Sequence, residues 1–199
     1  MIMEDNLLTL LDKIPKIEEG NRFVLGIDGL SRSGKTTFVS KLKQVLQEKN
    51  VPVSIFHIDD YIVERKRRYN TGNEEWYEYY YLQWDVEWLK DNFFKKLKIS
   101  NELHLPIYDN HSDTHKVQKV NIPRTCLIII EGVFLQRREW KNFYDFMVYI
   151  DCPRDKRFNR ESDYTKSNIE KFKKRYWKAE DYYLKTEAPK KQADLVLQN

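Results

Sequence analysis

Gly29-Leu30-Ser31-Arg32-Ser33-Gly34-Lys35-Thr36 decides how the rest of this chain is read. It satisfies the spacing G-x-x-x-x-G-K-[ST] at every fixed position. Before it runs Arg22-Phe-Val-Leu-Gly-Ile-Asp28, a short apolar segment that reads as a buried strand. After it, Thr37 to Asn50 sets Phe38, Val39, Leu42, Val45 and Leu46 at helical spacing. Strand, glycine loop and helix form the context in which this pattern cradles a phosphate. Gly29 and Gly34 let the backbone curl so that successive N–H groups face one anion. The helix adds its own unpaired N–H groups and the positive end of its dipole. The phosphate-binding set is therefore Gly29, Ser31, Ser33, Gly34, Lys35, Thr36 and Thr37. Lys35 brings a mobile positive charge to the β- and γ-phosphates, and the Thr36 hydroxyl is a ligand for Mg²⁺.

The 199 residues suffice for one sizeable α/β domain, residues 1–199, and hardly for two. Within it, an acceptor-site insertion is expected at about 61–123 and a lid at about 154–175. Charged residues make up 33% and hydrophobic ones 41%, an ordinary balance for a soluble protein. No apolar run approaches the roughly 20 residues of a membrane span, and the N-terminus lacks a secretory pattern. Cys126 and Cys152 are the only cysteines, so buried free thiols in a reducing cytoplasm are expected. The formal charge of +4 suits a small anionic substrate and is too weak to argue for nucleic acid. Lys171–Lys178 interleaves bases with aromatics, but Glu170, Glu180 and Asp181 flank it. No membrane partner is expected, and homo-oligomerisation stays open.

Taken in order, residues 4–14 read as a short amphipathic helix ending before Pro15. Val51–His57 reads as a second strand, ending in Ile58-Asp59-Asp60. Glu74 to Leu97 reads as one helix, with a band of Trp76, Tyr77, Tyr79, Tyr80, Tyr81, Trp84 and Trp88. Short strand-like pieces occupy 101–123. Cys126–Ile130, leading into Glu131-Gly132, is the strongest strand signal, followed by Phe146–Ile150. A basic helical region covers 154–185, and Ala193–Leu197 closes the chain as a strand. Strands that are apolar throughout and alternate with helices predict an α/β fold, a mostly parallel sheet with helices on both faces.

Ligands of open parallel sheets bind beyond the carboxyl ends of the strands. Asp59 there is the candidate base for an acceptor hydroxyl, and Glu131 the candidate member of the Mg²⁺ shell, acting through water. Asp28 and Asp60 at neighbouring strand ends read as capping acids. Arg154, Arg157 and Arg160 follow the Asp151-Cys-Pro turn, and Arg157 and Arg160 lie one helical turn apart, so they read as a lid over the phosphates. His111-x-Asp113-x-His115 would place three metal-ligand types on one strand face without a fourth. The aromatic band reads as core, with a share in the wall of an acceptor pocket.

Together these segments resemble the uridine kinase and phosphoribulokinase-like branch of the P-loop kinases. The resemblance rests on residues 26–37, Phe56-His-Ile-Asp59-Asp-Tyr61, Pro106-Ile-Tyr108-Asp109, Ile130-Glu131-Gly132, Asp151–Arg160 and Ala193-Asp194. It implies a P-loop NTPase fold of the nucleoside-kinase kind and transfer of the γ-phosphoryl of ATP, with Mg²⁺, to a nucleoside hydroxyl of the uridine or cytidine type. It also implies Asp59 as base, Glu131 near Mg²⁺, an arginine among 157 and 160 on the phosphates, and Tyr61, Tyr108 and Asp109 at the acceptor. In uridine kinases a histidine follows the Tyr-Asp pair; here position 113 is Asp, between His111 and His115. Their Asp-Ser-Phe-Tyr is Asp59-Asp60-Tyr61-Ile62, and Glu161–Ser167 replaces their glycine-bearing lid. Another sugar-like or pantothenate-like alcohol as acceptor, or a nucleotide-dependent regulatory protein, remain the alternatives. No Asn-Lys-x-Asp guanine reader occurs.

Overall fold

Three runs of uninterrupted apolar sequence become the central strands, because the sheet is covered on both faces. A computed structural model describes residues 2–199. Its five-stranded sheet is parallel throughout, in the order β2 (Val53–His57), β5 (Cys126–Gly132), β1 (Arg22–Asp28), β6 (Phe146–Asp151) and β7 (Leu195–Gln198). On one face Leu25, Ile27, Leu127, Ile129, Val148 and Ile150 pack against α1 (Ile2–Leu11) and α2 (Lys35–Glu48). The intervening residues Val24, Ile128, Ile130 and Tyr149 point to the other face, into an aromatic layer containing Tyr80, Trp84, Phe134, Trp140 and Tyr183. Each such aliphatic side chain contributes about 1.5–3 kcal/mol on burial, so alternating in-and-out patterning is absent by necessity. Cys126 and Cys152 are buried free thiols, as expected. No helix among the described residues is long and apolar enough to cross a membrane.

Register positions the site. Asp28 pairs with Gly132, and His57 with Glu131, so the carboxyl ends of β1, β2 and β5 finish side by side. Gly132 permits this closeness: a Cβ there would meet Ile58 Cγ2 at 2.1 Å. The Ile58–Tyr61 turn therefore settles directly on the end of β5.

The single helix expected over 74–97 is broken into α4 (Glu75–Tyr81), α5 (Val86–Asn92) and a 3₁₀ turn at Phe94–Lys96. (Another short helix, α3, spans Arg65–Arg68.) The break has a tertiary cause. Gln83 turns its carbonyl to Val63 N, Trp84 pairs with Ile62, and the Trp84 indole donates to Ile58 O at 2.9 Å. Asp85 then caps the next helix by accepting from Trp88 N. Residues 101–123 form an antiparallel hairpin, β3 (Glu102–Asp109) with β4 (Thr114–Asn121). The basic region beyond β6 is likewise segmented, into α6 (Arg154–Asn159), α7 (Asp163–Lys166), α8 (Ile169–Lys171), a π-helical turn at Phe172–Trp177, and α9 (Lys178–Thr186). A further turn, α10 (Pro189–Gln192), precedes β7.

Candidate active site

The loop between β1 and α2 is strained where it must curl. Gly29, Arg32 and Gly34 all have positive φ (153°, 60° and 96°). A Cβ on Gly29 would lie 2.7 Å from both Ile150 O and Ser33 Oγ. Lys35, Thr36 and Thr37 open α2, where backbone N–H groups have no acceptor one turn earlier. Ser33 is fully buried and its Oγ has no partner, so its side chain faces the protein and only its backbone can serve an anion. Lys35 Nζ donates to Leu30 O at 2.9 Å, folded back over the loop. Burial pulls this ammonium down in pKa, against the pull of Glu131, Asp28 and Asp59.

Two clefts flank the loop. The larger, about 460 Å³, brings Ser31, Lys35, Thr36, Asp59 and Glu131 together with Tyr79, Phe172 and Tyr176. The other, about 390 Å³, is lined by Gly34, Lys35, Thr36, Thr37, Arg160 and Asn199. In the first, Glu131 Oε1 accepts from Thr36 Oγ1 at 3.0 Å and lies 2.7 Å from His57 Nδ1. Burial opposes the Glu131 charge, but His57, Lys35 and Thr36 outweigh it and hold the carboxyl below its usual range. Asp59 lines the cleft as a solvent-accessible residue. The protein packed around it raises its pKa by desolvation, with Lys35 pulling the other way and Glu131 adding to the rise. Hard oxygen donors at Thr36 and Glu131 fit Mg²⁺ held partly through water. Asp28 is buried structure: it accepts from Tyr183 Oη (2.6 Å) and Gln136 Nε2 (2.9 Å).

Several expected site residues serve other purposes. Arg157 is not a free lid arginine. It is buried, paired with Glu180 at 2.8 and 2.9 Å, and donates to Ser31 O and Cys152 O, so it braces the loop from behind. Arg160 does reach the loop, donating to Arg32 O at 2.7 Å on the side of the smaller cleft. Tyr61 is buried core, its ring 5.3 Å from that of Phe93. Asp109 holds the hairpin turn by accepting from His111 N and Ser112 Oγ. Tyr108 donates to Asp113 and accepts from Arg68 and is not part of the cleft wall. The His111-Asp113-His115 trio is dispersed: Asp113 also takes Arg65 N, and His115 bonds Ile62 O and Glu64. No metal-holding group of histidines, cysteines and acids occurs among the described residues.

The sequence reading missed Phe172, Tyr176 and His57, and held Tyr79 only as one of an aromatic band with a share in the wall of an acceptor pocket. Phe172 and Tyr176 lie four apart on the π-helical turn, with rings 5.2 Å apart, and Tyr176 meets Tyr79 edge-on at 4.9 Å. Helices of this kind are frequent at functional sites. His57 stood in plain view two residues before Asp59, yet only the strand register reveals its partner.

A model of the phosphoribulokinase / uridine kinase family matches residues 24–199. The chain is similar to the uridine kinases of Borrelia turicatae and Borrelia hermsii. It is 31% and 32% identical to them over 187 residues, which cover 87% of this chain and 85% of each relative. Among solved structures, one described as a possible uridine kinase from Bacillus stearothermophilus aligns with a TM-score of 0.88 at 54% identity. That alignment covers 99% of this chain and 100% of the other. A glycine loop at the centre of a parallel sheet, matched along nearly the whole chain in sequence and in structure, leaves one conclusion: the chain belongs to the phosphoribulokinase / uridine kinase family and is a phosphotransferase with a hydroxyl group as acceptor.

Proposed function

We propose that this enzyme transfers the γ-phosphoryl group of ATP to a hydroxyl of a nucleoside of the uridine or cytidine type. The observation that carries the proposal is the larger cleft, where the phosphate loop and Asp59 face a wall of Tyr79, Phe172 and Tyr176. Aromatic faces suit a planar base. The cleft's only cationic residues among those described are Lys35, which in this reading serves the transferred phosphoryl group, and Arg32, paired with Glu161 through two hydrogen bonds. A neutral acceptor needs nothing more, whereas a carboxylate or phosphate on a pantothenate-like or sugar-phosphate acceptor would find no free partner. The names of the relatives agree with a nucleoside.

In this reading the backbone of residues 29–37 and the N-terminus of α2 cradle the β- and γ-phosphates, and Arg160 approaches from the other cleft. Lys35 swings from Leu30 O to the transferred group and stabilises its charge. Thr36 and, through water, Glu131 would hold a magnesium ion, whose chemistry would be to supply positive charge against the phosphates. Asp59 orients the acceptor hydroxyl and takes its proton late, since phosphoryl transfer depends chiefly on positioning and charge.

The test compares wild type with Asp59→Asn, measuring ATP binding by calorimetry and ADP release with uridine, cytidine, pantothenate and simple sugars. Expected are stimulation by the nucleosides, a fall of roughly 10²–10⁴-fold in turnover for the variant, and unchanged ATP affinity. Stimulation by pantothenate alone would replace the acceptor class. No stimulation by any hydroxyl compound would favour a regulatory nucleotide binder.

A further inference from the structure

Two donors converge on one oxygen of Glu131. Thr36 Oγ1 donates to Oε1 at 3.0 Å, and His57 Nδ1 lies 2.7 Å from the same Oε1. A carboxylate oxygen carries two lone pairs, so Oε1 is fully engaged. Oε2 is left as the oxygen without a protein donor among the described residues. Because Thr36 gives its proton to Glu131, its hydroxyl lone pairs remain available to a cation.

The imidazole is where it is because of the sheet. His57 ends β2 and is the register partner of Glu131 on β5, so both side chains leave neighbouring strands on the same face. The His57 side chain is 40% exposed and that of Glu131 only 7%, so the histidine is an outer prop on a buried carboxylate. We propose that His57 is a positioning residue for the magnesium site: by holding Oε1, it sets the Glu131 carboxylate so that Oε2 and the Thr36 hydroxyl present a fixed pair of oxygens to the metal's shell. This rests on the reading that Thr36 and Glu131 serve Mg²⁺. Partners of this outer kind commonly change metal affinity by about 10–100-fold when lost.

The experiment uses wild type, His57→Phe, His57→Asn, Glu131→Gln and the double variant His57→Phe/Glu131→Gln. Phe keeps the ring's bulk and removes the donor, while Asn returns an N–H at similar reach. Two quantities are read. One is the Mg²⁺ dependence of ATP affinity, by calorimetry without acceptor. The other is the Mg²⁺ concentration for half-maximal turnover. His57→Phe is expected to raise both Mg²⁺ requirements about 10-fold, with turnover at saturating Mg²⁺ and the acceptor KM near wild type. His57→Asn should recover most of the loss. In the Glu131→Gln background, His57→Phe should add little, because the histidine acts through the carboxylate. An unchanged Mg²⁺ dependence in His57→Phe, or a full additive effect in the double variant, overturns the role of His57 while Glu131→Gln still responds. If Glu131→Gln itself leaves the Mg²⁺ dependence unchanged, the metal site is elsewhere and both readings fall.

Discussion

Replacing Glu180 by Gln tests whether Arg157 braces the phosphate loop or closes over it. The two side chains are 6% and 2% exposed, and the guanidinium uses both terminal nitrogens on the carboxylate. Its remaining bonds go to Ser31 O at 2.9 Å and Cys152 O at 3.0 Å. Gln keeps the volume but removes the charge and turns an amide N–H toward a donor. Breaking one side of a buried pair leaves an uncompensated buried charge, which costs about 3–5 kcal/mol. For a chain of this size, each kcal/mol shifts Tm by about 2–4 °C, so Glu180→Gln should lower Tm by roughly 6–20 °C. Removing both charges with Arg157→Met and Glu180→Leu should recover most of that loss, because apolar replacements of a buried pair are often neutral or better. ATP affinity should nevertheless stay reduced in the double variant, since Ser31 O has lost its donor. The assays are thermal unfolding by circular dichroism and ATP titration by calorimetry. An arginine that served only as a lid would give the reverse pattern. Tm within about 2 °C of wild type, with turnover collapsing while ATP affinity held, would refute the brace.

Lys35→Ala should fold normally and lose roughly 10²–10³-fold in turnover, the usual cost of one charge-stabilising donor; near-normal turnover in a folded variant would contradict the phosphate-loop chemistry. Gly29→Ala should fail twice over, because its Cβ would press on Ile150 O and Ser33 Oγ at 2.7 Å and its φ is +153°. The overpacking alone costs about 1–3 kcal/mol, so thermal unfolding should show a clear loss, with ATP binding falling alongside it. The raised pKa of Asp59 gives a pH test. As the proposed base, it works deprotonated, so kcat/KM should climb with pH through an inflection above the usual 3.8. Asp59→Asn should abolish that limb, and a profile unchanged by the substitution would remove Asp59 from the proton-transfer step. Phe172→Ala should raise the KM of the acceptor more than that for ATP if the larger cleft, which Phe172 lines, is the acceptor's side as proposed; an equal rise in both would place the acceptor elsewhere.

Much of the molecule is local and therefore readable from the chain. A glycine loop between a strand and a helix carries its conformational demands in residues a few positions apart, so Gly29, Gly34, Lys35 and Thr36 lie where the spacing puts them. The three central strands announce themselves because burial on both faces demands continuous apolar runs, and the two half-buried edge strands by their shorter apolar stretches. Strand ends follow from the same runs, which is why Asp59 and Glu131 were recognisable as acids at the carboxyl edge. Side-chain partnerships across long separations are another matter. Arg157 and Arg160 look alike on a helical wheel, yet only Glu180, 23 residues on, turns one into a buried brace. Tyr61 and Asp109 match a motif, but Phe93 and the hairpin turn claim them. The long aromatic helix breaks at Gln83–Asp85 because Ile58, Ile62 and Val63 compete for that backbone and for the Trp84 indole. The pairing of His57 with Glu131 depends on parallel strands 74 residues apart falling into register, a choice that the whole sheet makes and no local spacing encodes.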